Sequence, residues 1–92
     1  MYFVFKKDIL MPKVFEYHGY KFFFFSNEGI PPEPCHIHIR KAEKRAKFWV
    51  EPYVSLVYAY EMTSRELIDL EKLIKQNSEL IRSKWNEHIN RN

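Results

Sequence analysis

Two short segments with strict alternation of apolar and polar residues constrain the fold more than any other feature of the sequence. From residue 35 to residue 40, a cysteine and two isoleucines alternate with two histidines and an arginine. From residue 46 to residue 51, alanine, phenylalanine and valine alternate with lysine, tryptophan and glutamate. Because side chains of a strand point alternately to the two faces of a sheet, each segment predicts a strand with one apolar face.

The two strands pair as a hairpin if a loop over residues 42–45 joins them. That register sets Ile39 opposite Phe48, so that apolar residues face each other. The polar residues then meet on the opposite face, which we take as the candidate functional site. Its predicted cross-strand pairs are His36 with Glu51, His38 with Trp49, and Arg40 with Lys47.

An earlier hairpin and a later strand extend the predicted sheet. Two runs of β-branched and aromatic residues flank the dipeptide His18-Gly19, which predicts a two-residue turn. This turn requires a positive φ at His18 and pairs Val14 with Phe23 further along the hairpin. Residues 53–60 alternate again and predict a further strand.

The C-terminal part of the chain has helical periodicity. Thr63 and Glu66 form a capping box, which marks a helix N-terminus. One unbroken helix from there would be about 39 Å long at ~1.5 Å per residue, longer than a domain of this size is wide. We therefore expect a break near Asn77, and His88 should cap the second helix or be solvated. The apolar positions at helical spacing are Leu67, Leu70, Ile74, Ile81, Trp85 and Ile89.

Together these elements predict an α+β fold. The expected architecture is an antiparallel sheet of four to five strands, with two hairpins and two C-terminal helices packed on one face. The 92 residues predict a single domain, with an N-terminal extension or edge strand at 1–10, the sheet at 14–60 and the helices at 63–90. Residues 22–25 are apolar on both faces, so we expect cover from residues 1–10, from a protein partner or from a second copy.

Charge and cysteine content narrow the class of protein. The net charge of +3 permits an anionic partner but is far from a histone-like composition. Residues 40–47 contain five Lys or Arg against one Glu, which is a basic run beside the histidines or a solvated hairpin turn. The single cysteine, Cys35, excludes an internal disulfide framework, fits a cytoplasmic location and is expected to be an inert core residue. No cofactor motif and no membrane-spanning run are present.

Several short motifs occur in one order along residues 11–88. They are Met11-Pro12, Gly19-Tyr20, Ser26-Asn27-Glu28-Gly29, the run from Pro34 to Lys41, Ala46-Lys47-Phe48-Trp49, Glu66-Leu67 and Trp85-Asn86-Glu87. With this set the chain resembles domain-of-unknown-function family 4160 of prokaryotes. The resemblance implies a cytoplasmic protein and a partner from an adjacent gene, in a toxin–antitoxin-like pair, without an established activity. The chain departs from the family in having residues 1–10 and in carrying Cys35 where proline is common.

Our preferred hypothesis is that the candidate site belongs to an interaction module of such a gene pair. Trp49 and Arg40 are typical interface anchors, and the partner would be a protein or a second copy of the chain. The alternative is a purely structural role, in which His36 and His38 are packed and hydrogen-bonded beneath a helix.

Two chemical alternatives stay open. In a small ribonuclease or nucleic-acid-binding protein, His36 and His38 would act as base and acid, Arg40 and Lys47 would hold the phosphate, and Trp49 would stack on a base. In a metal site, Glu51, His18 or Glu28 would supply the third ligand after the two histidines, although the nearby cations oppose a divalent metal ion.

Overall fold

Five antiparallel strands form a meander in which each strand pairs with the strand before it in the chain. A computed structural model describes residues 12–26 and 31–90. The strands are β1 (Lys13–Tyr17), β2 (Tyr20–Phe23), β3 (His36–Lys41), β4 (Lys44–Trp49) and β5 (Ser55–Tyr60). They lie in the order β1-β2-β3-β4-β5, which confirms the predicted antiparallel sheet and, among the described strands, places β1 and β5 at its edges. The extension or edge strand expected at residues 1–10 lies outside the described residues.

The first hairpin turns where the sequence predicts. Tyr17 pairs with Tyr20, and the two residues between them are in the left-handed region, with φ of 48° at His18 and 83° at Gly19. Positive φ at both central positions is the geometry of the two-residue turn that matches the twist of a hairpin. The expected positive φ of His18 is therefore confirmed.

The same hairpin departs from the predicted register at its far end. Phe23 pairs with Lys13, and Val14 is the extra residue of a β-bulge. The predicted pair of Val14 with Phe23 is therefore wrong. A bulge adds one residue to one strand, which simple alternation does not reveal.

The second hairpin is tighter than predicted. Its turn consists of Ala42 and Glu43 alone, and Ala42 has a φ of 54°. As a result Ile39 pairs with Ala46 and not with Phe48, so the predicted register is wrong by two residues. Because side chains alternate with a period of two, this shift leaves every residue on its predicted face and changes only its neighbours.

The last strand is shorter than predicted and contains an irregularity. β5 begins at Ser55 and not at residue 53. Leu56 and Tyr58 pair with consecutive residues of β4, so Val57 is the extra residue of a second bulge. Within the described part of the chain, β5 pairs with β4 only and forms the edge of the sheet.

Two helices follow the sheet, as the periodicity predicts. They are α1 (Ser64–Gln76) and α2 (Ser78–Asn90), and Asn77 lies between them at the predicted break. The capping box is present, because the Glu66 N–H donates to Thr63 Oγ1 at 3.1 Å and the Thr63 N–H donates to Glu66 Oε1 at 2.9 Å. Within the described ranges, neither helix is long and apolar enough to cross a membrane.

The core lies between the helices and the apolar face of the sheet. Four residues of the predicted helical stripe are buried against strand residues, and the two others are partly buried. The buried core residues are Phe22, Phe24, Cys35, Ile37, Ile39, Ala46, Phe48, Val50, Leu70, Ile74, Ile81 and Trp85. The α+β fold is thus confirmed, with the polar residues of β3 and β4 on the other face of the sheet.

Candidate functional site

The register of the five strands determines which polar side chains share a face with the two central histidines. Cross-strand partners in a sheet lie on the same face. We call this surface the histidine face, and it consists of Lys13, Glu16, Lys21, Phe23, His36, His38, Arg40, Arg45, Lys47, Trp49, Ser55, Tyr58 and Tyr60.

His36 is fully buried at the first position of β3. Its ring centroid lies 4.8 Å from that of Trp85 on α2 and 5.6 Å from that of Trp49 on β4. Its Nδ1 lies 3.1 Å from the carbonyl oxygen of Pro34, and because a carbonyl only accepts, the proton of this hydrogen bond is on Nδ1. Glu33 Oε1 is 3.9 Å from the same nitrogen. His36 therefore packs among indoles and has a carboxylate nearby.

His38 lies two residues further along β3 and is 5% exposed. The His36 and His38 ring centroids are 5.1 Å apart and the rings are perpendicular. His38 also contacts Phe25, at 4.2 Å between centroids, and Phe23, at 5.7 Å. The two imidazoles are therefore neighbours, as predicted, within a largely aromatic environment.

The two predicted cations lie beside these rings. The Arg40 guanidinium is 5.6 Å from the centroid of the Phe23 ring. Lys47 Nζ is 4.8 Å from the Trp49 ring and 3.7 Å from Glu33 Oε1. The negative face of each ring attracts the cation above it, and Lys47 in addition forms an ion pair with Glu33.

Glu51 is the one predicted site residue that the structure separates from the others. The two-residue register shift gives its place opposite His36 to Trp49. Glu51 follows the end of β4, is exposed, and its Oε2 lies 3.8 Å from Arg82 Nε on α2. Among the described residues, Glu33 of the proline-containing loop before β3 brings a carboxylate close to His36.

The metal hypothesis gains no third ligand from the described residues. Across 12–26 and 31–90, no group of three or more His, Cys, Asp or Glu side chains could hold a metal ion. His18 lies at the turn between β1 and β2, where its ring contacts that of Tyr17 at 4.1 Å. Glu28 lies outside the described residues.

Two features of the site were not expected from the sequence. His88 is buried, not solvated, because its Nε2 lies 2.9 Å from the carbonyl oxygen of Phe25 and its ring stacks on Phe24 at 5.4 Å. Lys21 and Arg45 join Arg40 on the histidine face through the cross-strand register. The alternation within each strand could have indicated the faces, but only the pairing of strands from both hairpins brings these cations together.

Cys35 lies outside the candidate site, as predicted. It is buried with the apolar residues of β3 and β4, on the helix side of the sheet. Burial raises the pKa of the thiol to about 12, and the nearby charge of Glu51 adds to the rise. A thiol that stays protonated is a poor nucleophile, so Cys35 serves as a small core residue.

The fold and the site define a class of small α+β protein, in which a five-stranded meander packs against two helices and its central strand carries a pair of buried histidines. A family model described as Domain of unknown function (DUF4160) matches residues 19–86, and the chain belongs to that family. This range contains the whole of β3 and β4 and therefore both histidines. No curated protein and no solved structure matched the chain.

Proposed function

We propose that the protein is an interaction module that binds a partner protein through its edge strand β5. The observation that carries the proposal is the composition and exposure of this strand. Its six residues, from Ser55 to Tyr60, contain no charged side chain, and five of the six are exposed. Edge strands present free N–H and C=O groups, and natural proteins usually protect them with charges or proline.

The opposite edge of the sheet shows the usual protection. β1 carries Lys13 and Glu16, which form an exposed ion pair with 2.9 Å between Nζ and Oε1. A second chain that approached β1 would have to desolvate or displace these charges. No comparable charge stands on β5, so the two edges of the same sheet differ in their ability to accept another strand.

The side chains around β5 have the composition of an interface. Tyr60 is 59% exposed, Tyr58 46% and Leu56 43%, and Tyr53 before the strand is 71% exposed. Large aromatic and aliphatic side chains grouped at the surface mark an interaction site, and tyrosine is enriched among residues that dominate binding. The bulge at Val57 interrupts the pairing with β4 but leaves residues 58–60 regular.

The binding mode that fits these features is addition of a partner strand to the sheet. Main-chain hydrogen bonds along β5 would supply affinity, and side chains on alternate positions would supply specificity. We propose that the occupant is an uncharged extended segment of the product of an adjacent gene, in a toxin–antitoxin-like pair in a prokaryotic cytoplasm. The family resemblance and the reduced, buried Cys35 support this setting.

The test is co-purification of the chain with the product of its adjacent gene. We compare wild type with Val57→Lys, which introduces a charge on β5, and with the control Ile68→Lys. Ile68 is 49% exposed on α1, so the control adds the same charge to an exposed apolar position away from the sheet edge. We expect wild type and the control to retain the partner and Val57→Lys to lose it.

Two outcomes would reject this proposal. Retention of the partner by folded Val57→Lys would show that β5 is not the interface. Self-association of the wild type, with a monomeric Val57→Lys, would show that the occupant is a second copy; light scattering after size exclusion measures this directly. Circular dichroism establishes that each variant is folded.

A further inference from the structure

A row of three cations crosses the histidine face from strand to strand. Lys21 of β2 pairs with Arg40 of β3, and Arg40 pairs with Arg45 of β4. At about 4.8 Å between strands, the Cα atoms of the row span roughly 10 Å. Like charges directly opposite each other are destabilising in a sheet. A row of this kind therefore favours the binding of an anion.

The described residues supply little negative charge to this row. Glu16 stands opposite Lys21, but its Oε1 is 2.9 Å from Lys13 Nζ. Among the residues that the structure describes, no carboxylate forms an ion pair with Lys21, Arg40 or Arg45. Arg45 instead donates from one guanidinium nitrogen to the carbonyl oxygens of residues 42 and 44, at 3.2 and 3.3 Å.

Two lysines also face each other on the helix side of the sheet, where their surroundings differ from those of the cation row. Lys41 pairs with Lys44 at the start of the same hairpin, so like charges face each other there as well. Lys44 Nζ lies 2.5 Å from Glu66 Oε2, and Lys41 Nζ lies 4.6 Å from the centroid of the Tyr20 ring. On the helix side, Lys44 thus has a carboxylate partner, whereas on the histidine face the described residues give Lys21, Arg40 and Arg45 no carboxylate within ion-pair distance. Both Lys41 and Arg40 lie over an aromatic ring, so the two faces differ in the carboxylate alone.

Exposed aromatic rings stand next to the cations. Arg45 pairs with Tyr60 and Lys47 pairs with Tyr58 across β4 and β5, and Trp49 lies under the Lys47 ammonium. Alternating cations and exposed rings suit a ligand that alternates phosphates with flat bases. The face is five strands wide, whereas a DNA major groove of about 12 Å admits a two-stranded ribbon, so a duplex groove does not fit it.

We propose that the histidine face binds single-stranded RNA. Lys21, Arg40 and Arg45 contact phosphates, and Tyr58 and Tyr60 stack on bases. RNA is favoured over DNA because its single-stranded loops and ends present unstacked bases, and aromatic side chains on an antiparallel sheet bind such bases. The phosphate contacts lie on β2, β3 and β4, apart from the β5 edge proposed for the protein partner, and only the stacking residues Tyr58 and Tyr60 are common to both surfaces.

The test is fluorescence anisotropy with a labelled 12-nucleotide RNA of mixed sequence across a range of salt concentrations. With three phosphate contacts, log Kobs should fall with log[salt] at a slope of roughly −2, from about −0.7 per contact on single strands. The double variant Arg40→Gln/Arg45→Gln should reduce the slope by about 1.4. The control Lys72→Gln/Lys75→Gln removes the same charge from α1 and should leave the slope unchanged.

A second pair of variants tests the stacking. Tyr58→Leu and Tyr60→Leu should each weaken binding about tenfold without a change in slope, because stacking carries no charge. Absence of wild-type binding at low salt, or equal slopes for the two double variants, would overturn the proposal. Equal affinity for the matching DNA strand, or competition by polyglutamate as strong as that of unlabelled RNA, would also overturn it, in favour of a general anion surface.

Discussion

The Tyr20 hydroxyl donates to Oε2 of Glu66, and this hydrogen bond joins β2 to the first turn of α1. Lys44 Nζ donates to the same oxygen, and the Thr63 N–H donates to the other one. One carboxylate therefore caps the helix and also attaches it to two strands of the sheet. The hydrogen bonds from Lys44 and Tyr20 lower the pKa of Glu66 to about 2, and the bond to Glu66 raises the pKa of Tyr20 to about 12.

The lowered pKa of Glu66 predicts an acid-dependent loss of stability. The folded value of about 2 lies below the ordinary value of 4.5, so the stabilisation is complete above pH 4.5 and disappears as the pH falls toward 2. Glu66→Gln should cost about 1–3 kcal/mol at neutral pH, since bonds to a charged acceptor are lost. Urea unfolding should show that the difference in free energy of unfolding between wild type and Glu66→Gln shrinks as the pH falls from 4.5 to 2. A difference that stays constant would contradict this role of Glu66.

Tyr20 predicts the opposite dependence at alkaline pH. Its folded pKa of about 12 lies above the ordinary value of 10.0, so its contribution is complete below pH 10 and disappears as the pH rises through 12. Tyr20→Phe keeps the ring but removes the donor, and it should cost about 1 kcal/mol at neutral pH. The free energies of unfolding of wild type and Tyr20→Phe should become equal at high pH. The control Tyr53→Phe, at an exposed ring, should have the same stability as wild type at every pH.

Removal of the buried His36 side chain should destabilise the fold more than removal of an exposed side chain. His36 is fully buried against Trp85 and bonded to a backbone carbonyl, so His36→Ala should lower the free energy of unfolding by about 1–3 kcal/mol. Thermal unfolding measures this, with Lys72→Ala, at an exposed position of α1, as the control.

The catalytic role of His36 and His38 is the alternative hypothesis for this site, and it has its own experiment. His36 is fully buried and His38 is 5% exposed, so both imidazoles are shielded from a phosphate in solution. Incubation of the wild type and of the double alanine variant with mixed RNA, with and without EDTA, should show no difference in cleavage. Cleavage by the wild type that a folded double variant lacks would instead establish catalysis, and its sensitivity to EDTA would separate metal from acid–base chemistry.

The thiol of Cys35 should be unreactive in the folded protein. Burial keeps its pKa at about 12, far above the pH at which thiol reagents act. A chromogenic disulfide reagent at pH 8 should label the chain in urea and leave it unlabelled in buffer. Rapid labelling of the folded chain would show that the sheet and helices separate readily.

Gly19 should be the least replaceable residue of the first turn. Its φ of 83° is strained for any side chain, and an added Cβ would lie 3.2 Å from Lys41 Cε. Gly19→Ala should therefore cost about 1–2 kcal/mol, mainly from backbone strain, because the lysine end can move. Denaturant unfolding tests this, and His18→Asn, which suits a positive φ, should be close to neutral.

The elements of this fold were predictable because each has a local signal. The capping box, the helical stripe and the break at Asn77 depend on neighbouring residues, and the structure confirms all three. The register of the second hairpin was not predictable for a specific reason. Shifting two strands by two residues keeps apolar side chains opposite apolar side chains, and Ala42 gives no sign that it adopts a positive φ.

The candidate site was predictable in part, and its missing parts involve distant segments. Alternation alone places His36, His38 and Arg40 on one face. The burial of His36 depends on Trp85, which lies 49 residues later, and the cation row depends on Lys21 from the other hairpin. Periodicity within a strand carries no information about which side chains a helix or a second hairpin will bring to it.

The single residue between the two helices also limits how this chain can change in length. The Asn77 N–H and Nδ2 donate to carbonyl oxygens at the end of α1, and the Asn77 carbonyl accepts from Ile81 in the first turn of α2. One inserted residue in a helix turns everything after it by about 100°. An insertion or deletion here would carry Trp85 away from both Phe24 and His36. Insertions and deletions among related sequences should therefore occur in the loops between strands and be absent from this junction.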